Sequence, residues 1–149
     1  MKTLLAPIDF SSVSGNSLET AAALAQALDA HLVVLHALQP IAPVGDPMMM
    51  PDLAQIGEMQ KNAEREARAQ LTRACEKISA HGVTIESQLL DGPASAVILD
   101  RARALSADLI IMGSHGHTAL HDLLLGGTSH AVLKKAPCPV VIVPVKGAK

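Results

Sequence analysis

Asp108-Leu109-Ile110-Ile111-Met112-Gly113-Ser114-His115-Gly116 carries the two signals that decide how this chain folds. The first is the unbroken apolar run 109–112, the pattern of a strand covered on both faces of a parallel sheet. The second is the glycine that ends it, because Gly113 opens the spacing Gly113-x2-Gly116-x9-Gly126-Gly127-Thr128-Ser129. Glycine lets the backbone approach a ligand closely and adopt positive φ. Thr128 and Ser129 can lend hydroxyls, and the free N–H groups that open a helix attract an anion. This is the construction a triphosphate needs. Tight turns alone would use the same glycines, so the loop has to be weighed with its surroundings.

Working outward, four more runs resemble strands: residues 4–8, 32–35, 83–90 and 140–143. All but one are continuously apolar. In the third, Val83 and Ile85 alternate with Thr84 and Glu86, which predicts an edge strand. Between the runs the period changes to that of a helix. Leu18, Ala21, Ala22, Ala25 and Leu28 share one face, and Ala63, Ala67, Leu71, Ala74 and Ile78 share another. Val97, Ile98, Ala102 and Leu105 serve a third helix, and a short fourth runs over 128–136 until Pro137 stops it. Strands alternating with helices imply right-handed crossovers and an α/β fold: one doubly wound, open, parallel five-stranded sheet with helices on both faces. Residues 39–55 hold Pro40, Pro43, Pro47 and Pro51 around Met48-Met49-Met50, and read as a mobile loop. Three adjacent methionines cannot face one metal from a regular element, so a hydrophobic lid or contact surface is expected there.

Composition narrows the function. With 149 residues the chain is read as a single domain spanning 1–149, large enough to bury roughly 70% of its unfolded surface. Phe10 is the only aromatic residue, so stacking of bases on Tyr or Trp is excluded. A formal charge of −2 gives no basic footprint for nucleic acid. No stretch approaches the ~20 apolar residues of a membrane span. Asp9 interrupts the N-terminal apolar run too early for a signal peptide. Cys75 and Cys138 form no CxxC pair and read as small apolar residues in a reducing compartment. A cytoplasmic protein that binds neither nucleic acid nor membrane is expected.

Open α/β sheets bind ligands beyond the carboxyl ends of their strands. The first strand ends in Pro7-Ile8-Asp9-Phe10-Ser11-Ser12 and the second in His36-Ala37. Neither GxxxxGK[ST] nor a GxGxxG after the first strand occurs. The first βα turn carries the carboxylate of Asp9 instead, which suits a ribose hydroxyl or an adenine amino group better than a phosphate, or else caps the following helix. His36 reads as a packed or hydrogen-bonded histidine. His117 and His121 stand four apart beside His115, but Thr118-Ala119-Leu120 between them holds no glutamate base, and no metal site is expected. Lys134-Lys135 sits at the C-terminal end of the last helix, suited to its dipole and away from the phosphates.

Taken together, Leu5-Ala6-Pro7-Ile8-Asp9-Phe10-Ser11, Val34-Leu35-His36-Ala37, the 108–116 stretch and Ala136-Pro137-Cys138-Pro139-Val140 resemble the universal stress protein family over nearly the whole chain. The resemblance is to its ATP-binding branch, whose phosphate loop reads G-x2-G-x9-G-[ST]. It implies an adenine nucleotide alpha hydrolase-like sheet of strand order 3-2-1-4-5. It places adenine and ribose against Pro7, Asp9 and Ala37, and phosphates against Gly113, Gly116, His117, Gly126, Gly127, Thr128 and Ser129. The departure is Gly127, where the family carries Ser or Thr: the N–H donor is kept and the hydroxyl lost. The implied ligand is ATP, with ADP or AMP as alternatives and Mg2+ accompanying the triphosphate. The resemblance also implies a homodimer through the last strand, Val140, Val141, Ile142 and Val143.

Three functions fit these residues. The first is a dimeric stress-response regulator whose nucleotide sets the shape of the 39–55 and glycine loops for an unknown regulatory protein partner. The second is a slow ATPase or phosphotransferase on the same site, with no catalytic residue assignable, because no Walker lysine, arginine finger or oriented base is evident. The third is a nucleotide-free dimeric adaptor, a reading that Gly127 favours and the retained glycines oppose.

Overall fold

The computed structural model describes residues 1–114 and 125–144. Five strands, β1 (Lys2–Ile8), β2 (Ala30–Leu38), β3 (Ile85–Asp91), β4 (Leu109–Gly113) and β5 (Val140–Val143), form one sheet in the order β3-β2-β1-β4-β5. Every pairing is parallel. The α-helices are α1 (Ser12–Leu28), α2 (Leu53–Ile78), α3 (Ala94–Ala104) and α4 (Gly127–Lys135). The strand order reverses between β1 and β4, and the crevice opens there.

Side-chain alternation explains why the strands are continuously apolar. Leu4, Ala6 and Ile8 pack with Leu32, Val34 and Ile111 under α1 and α2. Leu5, Val33, Leu35, Ile110 and Met112 pack on the opposite face against Ile98, Leu99 and Ala102 of α3 and Val132 of α4. Small residues on α1 (Ala21, Ala22 and Ala25, all buried) let it lie close on the sheet. Cys75 and Cys138 join the two cores, and burial raises both thiols above the usual range. Their expected role as apolar filling agrees with this.

Several boundaries differ from the sequence reading: β1 starts at Lys2 rather than Leu4, β2 spans Ala30–Leu38 rather than 32–35, β4 ends one residue later and α4 shifts by one residue. The third strand starts at Ile85 rather than Val83, because Gly82 at φ 68° is still turning the chain, although Thr84 already accepts the Leu32 N–H at 2.9 Å. β3 is an edge strand, as its alternation requires. The larger correction concerns residues 39–55. A 3-10 turn occupies Pro47–Met49, with the Asp46 carboxylate accepting the Met48 N–H, and α2 begins at Leu53. Asp52 and Gln55 form a capping box: the Gln55 N–H donates to Asp52 at 2.8 Å, and the Asp52 N–H donates to Gln55 at 3.0 Å. Periodicity could not reveal this start, because no residue of α2 before Ala67 is buried.

Candidate functional site

A cleft of about 710 Å3 lies beyond the carboxyl ends of the central strands. Its floor comes from the ends of β1, β2 and β4, through Pro7, Asp9, Ala37 and Gly113. One wall is the start of α4, through Gly126, Gly127, Thr128 and Ser129. The fold therefore gathers into one cavity every expected site residue within the described part of the chain. Gly116 and His117 fall outside the described residues, as do His115 and His121. The volume falls in the range of small-molecule sites, ~300–1,000 Å3.

The turn from β1 into α1 is the most constrained part of the rim. Phe10 adopts φ 60°, in the left-handed region, uncommon for a bulky residue and enriched at functional sites. The reversal brings the Ser11 N–H onto Asp9 Oδ1 at 2.9 Å, and the Ser14 hydroxyl donates to the same oxygen at 3.0 Å. Asp9 thus does local work at the helix entrance and also lines the cleft. The N-cap itself is Ser11, whose side chain makes no capping bond. Its Oγ is a buried hydroxyl with no partner among the described residues. Phe10 packs on His36 with ring centroids 4.3 Å apart, and His36 Nδ1 donates to the Ile8 carbonyl at 2.8 Å. His36 is therefore a packed, hydrogen-bonded histidine, as expected, and it also borders the cleft.

The glycine loop departs from the sequence reading in its mechanism. Positive φ is not what Gly126 and Gly127 supply: Gly126 has φ −59°, and Gly127, the first residue of α4, is not in the left-handed region. Their contribution is the missing side chain, which leaves the backbone open to close approach. The Gly126 N–H donates to the Ser114 carbonyl at 2.9 Å, and the Ser129 hydroxyl donates to the Gly113 carbonyl at 2.9 Å. These two bonds tie the start of α4 to the end of β4, so the Ser129 hydroxyl proton has a structural use. The first helical bond runs from the His130 N–H to the Gly126 carbonyl. The N–H groups of Gly127, Thr128 and Ser129 are consequently the helix's own unfilled donors.

Sequence reasoning missed several wall residues: Ser14 and Ser17 on α1, Gln70 on α2, and Ala94 and Ile98 on α3. The only available signal was that Ser14 and Ser17 interrupt the apolar face of α1 three residues apart. Of residues 39–55, Gln39 alone borders the cleft among the described residues, while Met48 and Met49 stand away from it, 92% and 85% exposed. Lys134 and Lys135 occupy the last turn of α4, far along the helix from its open N–H groups.

The model of the Universal stress protein family matches residues 1–144. The chain belongs to the universal stress protein family. A relative from Thermus aquaticus, described as a universal stress protein in the QAH/OAS sulfhydrylase 3' region, is 37% identical over 144 residues, covering 95% of this chain and 98% of its own length. Among solved structures, the universal stress protein UspA from Lactobacillus plantarum superposes with a TM-score of 0.81 at 22% identity, covering 95% of this chain and 97% of that one. The universal stress protein from Archaeoglobus fulgidus in complex with dAMP superposes with a TM-score of 0.70 at 21% identity, over 95% of this chain and 97% of that one. At these identities the superpositions establish the family fold. Among the described residues, no helix is long and apolar enough to cross a membrane, and no cluster of three His, Cys, Asp or Glu could hold a metal ion.

Proposed function

We propose that this universal stress protein binds an adenine nucleotide, ATP foremost, in the cleft, and acts as a dimeric stress-response regulator for a protein partner still to be identified. One observation carries the reading: the starts of α1, α3 and α4 all border the same cleft, and none has an acidic residue in its first turn. Each helix start concentrates partial positive charge and unfilled N–H groups. Together they favour a polyanion. Asp9, the only carboxylate on the wall among the described residues, takes the opposite task of accepting from ribose hydroxyls. Pro7 and Ala37 offer an apolar edge to the base, and the N–H groups of Gly127, Thr128 and Ser129 face the phosphates. The dAMP complex of the Archaeoglobus relative supports this division, since dAMP joins an adenine and a sugar to a phosphate. Mg2+ would travel on the phosphate oxygens and water rather than in a protein cage.

The direct test is acid extraction of the purified protein followed by chromatography, with calorimetry against ATP, ADP and AMP. An adenine nucleotide in the extract, or saturable heat with ATP, is the expected outcome. No nucleotide in the extract and no heat with any of the three would overturn the reading.

Gly127 gives a graded test of the same site. Its φ is not positive, and among the described residues nothing lies within 4 Å of an added Cβ. Gly127→Ser should therefore fit without strain and restore the hydroxyl found in the family pattern. ATP affinity is expected to rise by about 0.5–1.5 kcal/mol, the worth of one hydrogen bond. Unchanged affinity in the calorimeter would mean that the phosphates lie beyond reach of residue 127.

A further inference from the structure

Ser14 is placed to do more than fill the face of α1. Its residue is 9% exposed, and its hydroxyl meets Asp9 from both sides, donating to Oδ1 at 3.0 Å and accepting the Asp9 N–H at 3.4 Å. The Ser11 N–H reaches the same carboxylate oxygen at 2.9 Å. Ser14 is itself held in place: its N–H donates to the Ser11 carbonyl at 3.0 Å, and its carbonyl accepts the Ser17 hydroxyl at 3.0 Å. Two donors from different directions on one oxygen fix the rotation of a carboxylate that borders the cleft. An ionised carboxylate only accepts hydrogen bonds, so the ligand group it can read is a donor, a ribose hydroxyl or an adenine amino group.

We infer that Ser14 is a positioning residue for Asp9, and that this serine sets the preference of the cleft for nucleotides carrying ribose hydroxyls. The inference rests on the nucleotide reading above and names the residue that makes Asp9 selective. Although Ser14 also borders the cleft, the role assigned to it runs through Asp9. It acts by keeping the carboxylate oriented before the nucleotide arrives, so the ordering cost is met in folding and not in binding. Alanine is a good helix former and smaller than serine, so Ser14→Ala should leave α1 intact while removing one of the donors that orient the Asp9 carboxylate, the Ser11 N–H remaining.

The test compares ATP with 2′,3′-dideoxy-ATP by calorimetry on the wild-type chain, Ser14→Ala and Ser14→Thr, with thermal melts to confirm that each variant is folded. The wild-type chain should prefer ATP. In Ser14→Ala the preference should shrink by roughly threefold to tenfold, with affinity for the dideoxy nucleotide nearly unchanged, as loss of one orienting hydrogen bond predicts. Ser14→Thr, which keeps the hydroxyl, should recover most of it. A folded Ser14→Ala that keeps the full preference, or that weakens both ligands equally, would overturn this inference and leave nucleotide binding standing. A wild-type chain that binds neither ligand would overturn the nucleotide reading and this inference together.

Discussion

Gly113→Val is expected to lower ATP affinity more than about a hundredfold, ~2.7 kcal/mol, while leaving the protein folded. Gly113 is the last residue of β4 and borders the cleft, and its carbonyl accepts the Ser129 hydroxyl that anchors the start of α4. Along β4, Ile110 and Met112 pack towards α3 and α4 and Ile111 packs towards α1. By alternation a side chain at 113 would stand on the α1 side, where the Asp9–Ser14 turn forms the rim. Three added carbons there would compete with the ligand for space, and a β-branched side chain is stiff at χ1. A β-branched residue at a strand end costs the sheet little. The melting temperature should stay within a few degrees of the wild type. Calorimetry decides: a folded variant that binds ATP within threefold of the wild type would remove the end of β4 from the binding site.

The second large effect concerns assembly, where register changes which substitution is informative. We propose a homodimer through β5, and Val140→Pro is expected to convert it to a monomer. The apolar character of Val140–Val143 is in itself no sign of an interface, because both faces pack on the cores: Val141 and Val143 on the α1 side, Val140 and Ile142 on the α3–α4 side, with Val140, Val141 and Ile142 partly buried. The relevant feature is the open backbone edge, since among the described residues β5 pairs with β4 alone. Pro139 and Val143 carbonyls accept from Ile110 and Ser114 of the β4 segment at 3.0 and 2.9 Å. By alternation Val141 also faces β4, so the outward N–H and C=O groups belong to Val140 and Ile142. The opposite edge, β3, is guarded by Glu86 and Asp91, whereas residues 140–143 carry no charge. Two-fold pairing of two β5 edges would satisfy these groups and bury on the order of 800 Å2 per partner with the neighbouring surface. Proline at 140, the first residue of the strand, removes only an outward donor. Proline at 141 would instead break the bond to β4 and lower stability by about 1–3 kcal/mol. Light scattering at micromolar concentration should report a dimer for the wild-type chain and a folded monomer for Val140→Pro. A wild-type monomer, or a Val140→Pro dimer, would remove β5 as the interface.

The central sheet was legible because its cause is local. Continuous apolar runs at 4–8, 32–35, 109–112 and 140–143 have one stable solution, burial on both faces of a parallel sheet, and all four became strands. Alternation in the third run likewise marked β3 as an edge. The early start of α2 was hidden because its first turns bury nothing, so periodicity had nothing to record. Only the cap at Asp52 and Gln55 marks it.

The candidate site divides in the same way. Residue type alone pointed to Asp9 at the end of a strand and to glycines before a helix, since carboxylates and bare backbone have narrow uses at such places. By itself the sequence determined the family, the α/β architecture and the strand ends where a ligand belongs. Which donors are already committed was decided only in three dimensions. The Gly126 N–H and the Ser129 hydroxyl are taken up by Ser114 and Gly113, and Ser14 and Ser11 converge on Asp9 across the turn at Phe10. The reason is physical: a hydrogen bond depends on where a donor ends up after the chain has crossed over and packed. A residue's identity records only that it can donate.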